Sequence, residues 1–219
     1  MGFILNIETA TKNCSVSLSK NGDTVSLKEY AGQGYTHAEK LHVFIDEVFK
    51  EAGLAYSDLS AVAVSKGPGS YTGLRIGVSA AKGLCYALNI PLIAIDTLEL
   101  LARKISVNDG VIIPMIDARR MEVYSAIYTS DYRQLRATQA EVITESSFTE
   151  TTGKIHLVGD GALKCKELLF DSRFIYHDDV IYPSTAQMAE LSYLKYKISD
   201  TVDVAYFEPY YLKDFIAGK

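Results

Sequence analysis

The chain has little cysteine. Cys14, Cys85 and Cys165 are its only thiols, they stand far apart, and no Cys-x-x-Cys pair exists. That excludes a disulfide framework or a thiolate metal site and fits a reducing compartment. Positive charge is also short: 22 Lys and Arg stand against 27 Asp and Glu, a net charge of −5. Affinity for nucleic acid rests on neutralising phosphates. With no basic cluster beyond Arg119-Arg120, the chain is expected to bind RNA poorly by itself. Long apolar runs are missing too. The opening residues turn polar at Asn6 and Glu8, too early for a secretion signal, and no stretch is long enough to span a membrane. The expectation is a cytoplasmic protein without a membrane contact.

What is present suffices for a full core: 48% of the 219 residues are hydrophobic and 22% are charged. Residues 3–7 form a short apolar run ending at Glu8. Val16 and Leu18 then alternate with Ser15, Ser17 and Ser19 up to an Asn21-Gly22 turn, and a third strand is expected over 24–30. Gly32 and Gly34 lead into a helix over about 36–52, with Leu41, Phe44, Ile45, Val48 and Ala52 at helical spacing and Gly53 as its cap. A strand at 61–64, a helix at 73–88, a strand at 91–95 and a helix at 97–104 follow. The pattern then restarts. Residues 111–116 are apolar and end at Asp117, a polar turn carries Arg119-Arg120, and 122–128 alternate. Ile7-Glu8 and Ile116-Asp117 are equivalent points in two similar openings, which indicates a duplicated α/β unit. The second half adds a strand at 155–158, a Gly159-Asp160-Gly161 turn, a helix at 162–170 and another at 184–195.

The most distinctive stretch is Gly67-Pro68-Gly69-Ser70-Tyr71-Thr72-Gly73, placed between a strand and a helix. Its glycines give neither the dinucleotide fingerprint nor a Walker loop. Two readings remain: a tight turn that needs glycine, and an anion site at a helix N-terminus. The helix that follows carries Gly73, Gly77, Ala80, Ala81 and Ala87, so another helix can approach it closely.

Read as GPGSYTGLRIGVSAAKGL, residues 67–84 resemble the signature of the TsaB branch of the family that includes the transferase TsaD. The segments ILNIETATKNCSVSL, THAEKLHVFIDEVF, IPLIAIDTLELLA, MIDARRMEVYSAIY and FEPYYLK are similar to the same branch, in order from residue 3 to residue 213. The resemblance implies two ribonuclease-H-like lobes of the actin, hexokinase and Hsp70 superfamily. The expected division is residues 1–104, carrying the partner-binding helices, and a smaller lobe at 105–219, whose tail at 205–219 is a candidate to pack back on the first. It also implies a subunit of the machinery that makes threonylcarbamoyladenosine in tRNA. The implied partners are a TsaD-like transferase and a TsaE-like ATPase, with a homodimer in isolation and tRNA met only through the complex. The seam is assigned to Leu41, Ile45, Gly73, Leu74, Gly77, Ala80, Ala81 and Leu84.

The departures from that family point away from catalysis. TsaD carries a metal through a His-x-x-x-His pair. Here His37 and His42 are five apart, about 140° around a regular helix, and cannot readily share an ion. Active superfamily ATPases place an aspartate at the end of the first strand and a glycine-rich hairpin after it; this chain has Glu8 and Thr9-Ala10-Thr11. Glu8, Thr9, Asp117, Gly159 and Gly161 are what a vestigial nucleotide cleft would comprise. No catalytic residue, metal or cofactor is expected. A phosphotransferase or a metallopeptidase acting alone stays as the alternative.

Overall fold

The computed structural model describes residues 2–32 and 37–213, so Gly34 of the expected glycine-rich loop, Thr36 at the start of the first expected helix and the last six residues of the tail lie outside it. Contacts divide the chain into two compact units, Met1–Thr97 with Ser184–Lys219, and Leu98–Pro183.

The first unit is built on β1 (Phe3–Glu8), β2 (Asn13–Lys20), β3 (Asp23–Ala31), β4 (Leu59–Gly67) and β5 (Leu92–Asp96), in the spatial order β3-β2-β1-β4-β5. β1 pairs antiparallel with β2, with Ile7 opposite Val16, and parallel with β4, with Ile7 opposite Val64. β2–β3 is antiparallel and β4–β5 parallel. Asn21 and Gly22 take the positive φ that the hairpin between β2 and β3 demands. α1 (His37–Ala52) and α2 (Tyr71–Leu88) bury Leu41, Ile45, Val48, Val78, Ala81 and Cys85 against Leu5, Ile7, Val62 and Val64. α3 (Thr97–Ala102) begins where β5 ends.

The second unit repeats the plan with β6 (Val111–Asp117), β7 (Glu122–Thr129), β8 (Gln134–Val142), β9 (Ile155–Val158) and β10 (Phe174–Tyr176), in the order β8-β7-β6-β9-β10. β6–β7 and β7–β8 are antiparallel; β6–β9 and β9–β10 are parallel. Both sheets therefore have the same strand order and the same directions. This is the pair of ribonuclease-H-like lobes that the resemblance implied, read directly from the topology.

Two helices depart from expectation. Only α4 (Asp160–Leu163) is helical in the segment expected as a helix over 162–170; beyond it the amides of Cys165 and Leu168 reach back three residues, to Ala162 and Cys165. Such i→i−3 bonds wind the chain more tightly than an α-helix. Residues 184–187 are not helical, and α5 is Met188–Lys197. Ser184 and Thr185 instead bond to the first sheet: Ser184 Oγ donates to Glu29 Oε2 at 2.6 Å, and Ser15 and Thr185 share a hydroxyl bond of 2.8 Å. The last stretch of chain thus lies on β1 and β2, in the first unit rather than in the second.

Candidate functional site

The glycine-rich loop between β4 and α2 is held from beneath by the β1–β2 turn. Ser70 N donates to Ala10 O at 2.7 Å, Thr9 Oγ1 donates to Gly73 O at 2.8 Å, and Ser70 Oγ caps α2 by accepting from Gly73 N at 3.3 Å. A Cβ on Gly69 would stand 2.3 Å from Ala10 O, one on Gly73 2.1 Å from Thr9 O, and one on Gly77 2.2 Å from Thr9 Oγ1. Gly69 and Gly73 are needed because two backbones touch there, and Gly77 because the Thr9 side chain fills the space beside it. The amides of Gly67, Ser70, Gly73 and Leu74 all have acceptors inside the loop or beside it. Of the two readings of this motif, the close turn accounts for the geometry, and those four donors are not available to an anion.

The same packing encloses most of the residues assigned to the seam. Leu41, Ile45, Gly73, Leu74, Gly77 and Ala81 are buried in the unit's own core, so none of them presents a surface to a partner. Ala80 and Leu84 are half-buried. The row of small residues that does face outward is Ser79, Gly83 and Ala87, one helical turn apart, and a Cβ on Gly83 would meet nothing. Half-buried Ile76, Ala80, Leu84 and Leu88 flank that row, and α1 adds half-buried Phe44 and exposed Val43. Spacing pointed to Gly73, Gly77 and Ala81 and gave no sign of the second row at Ser79, Gly83 and Ala87. The position of Thr9 puts the first row inside.

Beside this face lies a shallow apolar groove of about 560 Å³, lined by Lys82, Gly83, Tyr86, Asp203, Val204 and Ala205. Its far wall is the chain's last segment. Val202 N donates to Leu92 O at 2.9 Å, Lys82 Nζ reaches the carbonyls of Ala205 (3.1 Å) and Phe207 (2.9 Å), and Tyr210 N donates to Lys66 O at 2.7 Å. Arg75 bonds the Tyr211 hydroxyl at 3.2 Å and lies over the Tyr71 ring.

The residues named for a nucleotide cleft are committed to their own units. Glu8 has no exposed surface, its Oε1 accepts from Ala10 N at 2.5 Å, and burial pushes its carboxyl up to about 7. Thr9 is bonded to α2 as described. Asp117 Oδ1 accepts from Arg119 N at 2.8 Å and pairs with Lys164. Gly159, at φ +105°, and Gly161 lie against the backbone of Met115 and Ile116, where side chains would collide.

His37 is buried with Nε2 2.7 Å from Thr11 O, so that nitrogen carries the proton, and burial lowers its basicity; His42 is exposed. Among the described residues no three His, Cys, Asp or Glu side chains gather as metal ligands do. Burial pushes the thiols of Cys14, Cys85 and Cys165 up to about 12, 11 and 11, which leaves no thiolate for nucleophilic chemistry. No helix among the described residues is long and apolar enough to cross a membrane.

A family model described as "TsaD: tRNA N6-adenosine threonylcarbamoyltransferase" matches residues 33–207. The chain belongs to the TsaD family. Within it, the chain is 29% identical over 225 residues to the tRNA threonylcarbamoyladenosine biosynthesis protein TsaB of Escherichia coli K12, covering 99% of this chain and 96% of that protein. It is 28% identical to TsaB of Haemophilus influenzae, at 99% and 95% coverage. Among solved structures, YeaZ from Pseudomonas aeruginosa superposes with a TM-score of 0.83 at 25% identity, over 97% of this chain and all of that one. The resemblance to the TsaB branch thus extends over nearly the whole length.

Proposed function

We propose that this chain is the non-catalytic subunit of a complex that makes threonylcarbamoyladenosine in tRNA, docking a TsaD-like transferase through α1 and α2. The observation that carries the reading is the outward row Ser79, Gly83 and Ala87, flanked by Ile76, Ala80 and Leu84, on a chain similar to TsaB from end to end. Small residues let a second helix approach near the backbone, and the flanking aliphatic groups then lose their water. A catalytic role fits less well. Glu8, standing where a superfamily ATPase has its aspartate, is enclosed, with Oε1 taken by Ala10 N, and burial disfavours the charge that a magnesium-bound phosphate would call for.

In this reading the chain pairs with itself when alone, and the transferase displaces the second copy from the same helix pair. A TsaE-like ATPase joins the assembled pair, and tRNA is met by the complex. The test is affinity purification of the tagged chain from its native host, with mass spectrometry of what accompanies it. A TsaD-like transferase in near-equal amount is the expected result. Its absence, together with adenosine triphosphate turnover by the chain alone that is lost in Glu8→Ala, would overturn the reading in favour of a phosphotransferase.

A further inference from the structure

In the loop joining β6 to β7, Arg119 and Arg120 both take left-handed backbone conformations, at φ +73° and +50°. This region disfavours residues with a Cβ, and glycine or asparagine enters it most readily. The same chain follows that preference at Asn21-Gly22 and Asn89, while Tyr132, Phe148 and Ser199 adopt the region singly. Two successive arginines here are therefore kept against local preference, and the surroundings hold them. Lys164 spends its three N–H donors on this turn: on Arg120 O and Glu122 O, each at 2.7 Å, and on Asp117 Oδ1. Asp117 Oδ1 also accepts from Arg119 N at 2.8 Å, and Asp160 Oδ1 accepts from Asp117 N at 2.9 Å.

The charges sort themselves in the same way. Asp117 is neutralised by Lys164, whereas both guanidiniums are exposed and neither has a side-chain partner among the described residues. The other adjacent cation pair, Arg103-Lys104, is consumed by Glu99 and by the Tyr182 carbonyl. On an acidic chain, one braced turn thus presents two uncompensated, planar, bidentate donors to solvent.

We infer that the Arg119–Arg120 turn is a contact for the phosphodiester backbone of RNA in the assembled complex. The inference rests on the tRNA-modification reading above and deepens it by naming the surface. A guanidinium matches two phosphate oxygens at once, and each phosphate neutralised releases counterions. Two contacts are too few for an acidic chain to hold RNA alone, but they add to those of a partner.

The experiment uses the chain assembled with its transferase and a fluorescently labelled, unmodified tRNA transcript from the same host, titrated at several salt concentrations. Arg119→Gly/Arg120→Asn removes both charges and supplies residues suited to the backbone. Assembly should persist, and the melting temperature of the chain should rise by about 2–4 °C as backbone strain is relieved. Affinity for the tRNA should fall about tenfold near physiological salt, and the log–log salt slope should flatten by roughly one to two. Arg119→Lys/Arg120→Lys should keep most of the slope. Unchanged affinity and slope in the Gly/Asn variant would overturn the inference. Loss of assembly would overturn it as well, by showing that the turn meets protein. An unsubstituted complex that forms but binds no tRNA removes the reading beneath it, a result seen before any substitution is made.

Discussion

At the scale of single residues, the most consequential side chain is Glu8. It closes β1 inside the first unit with one backbone donor and no exposed surface, and burial raises its carboxyl from 4.5 to about 7. The folded state therefore holds this proton more tightly than the unfolded chain does. Its contribution to stability is fully present below pH 4.5 and is lost as pH rises through about 7. The whole shift corresponds to roughly 3 kcal/mol, of which about 1.4 kcal/mol falls between pH 6 and pH 8. We expect the melting temperature to drop by about 3–5 °C over that interval from this group alone. Glu8→Gln cannot ionise and should flatten the pH profile. The check is calorimetry of both proteins from pH 5.5 to 8.5; parallel profiles would show that Glu8 is not the group responsible.

At the scale of elements, α2 carries two rows of small residues with opposite duties. Gly73 and Gly77 admit the β1–β2 turn, whereas Gly83 opens onto nothing within reach. The two rows predict different failures. Gly77→Arg drives a side chain into Thr9 and should cost the fold, since the helix and turn are already in contact. Gly83→Arg should leave the fold intact and raise its stability by up to about 1 kcal/mol, because arginine is the better helix former. It should nevertheless abolish capture of the transferase and self-association. Circular dichroism reports the first property, and light scattering with co-purification reports the second. A folded Gly83→Arg protein that still pairs would remove α2 from the interface.

At the scale of the whole molecule, an acidic chain is asked to serve in tRNA chemistry. The net charge of −5 and the internal use of most of its arginines argue that RNA is held only in company. The isolated chain should show no tRNA binding below micromolar concentration in a gel shift at physiological salt. Sub-micromolar binding by the chain alone would contradict that.

Much of this was legible beforehand because it depends on near neighbours in the chain. Turn residues such as Asn21-Gly22, apolar runs ending at Glu8 and Asp117, and the periodicity of residues 37–52 act over a few residues, and they yielded both repeats and most elements. Three features depend on distant segments and were not legible. The first is which face of α2 is inside, decided by Thr9, 64 residues from Gly73. The second is the burial of Ser15 and Ser17 in β2, which alternation cannot reveal. Their hydroxyls meet Thr185, about 170 residues away, because the returning chain covers that face of the sheet. The third is the fate of Asp117. At the end of β6 it looked like a cleft acid, but the ammonium of Lys164, 47 residues on, ties it to the Arg119–Arg120 turn. Local sequence sets what each segment can form; which polar group is enclosed, and against what, follows only once the segments have been packed together.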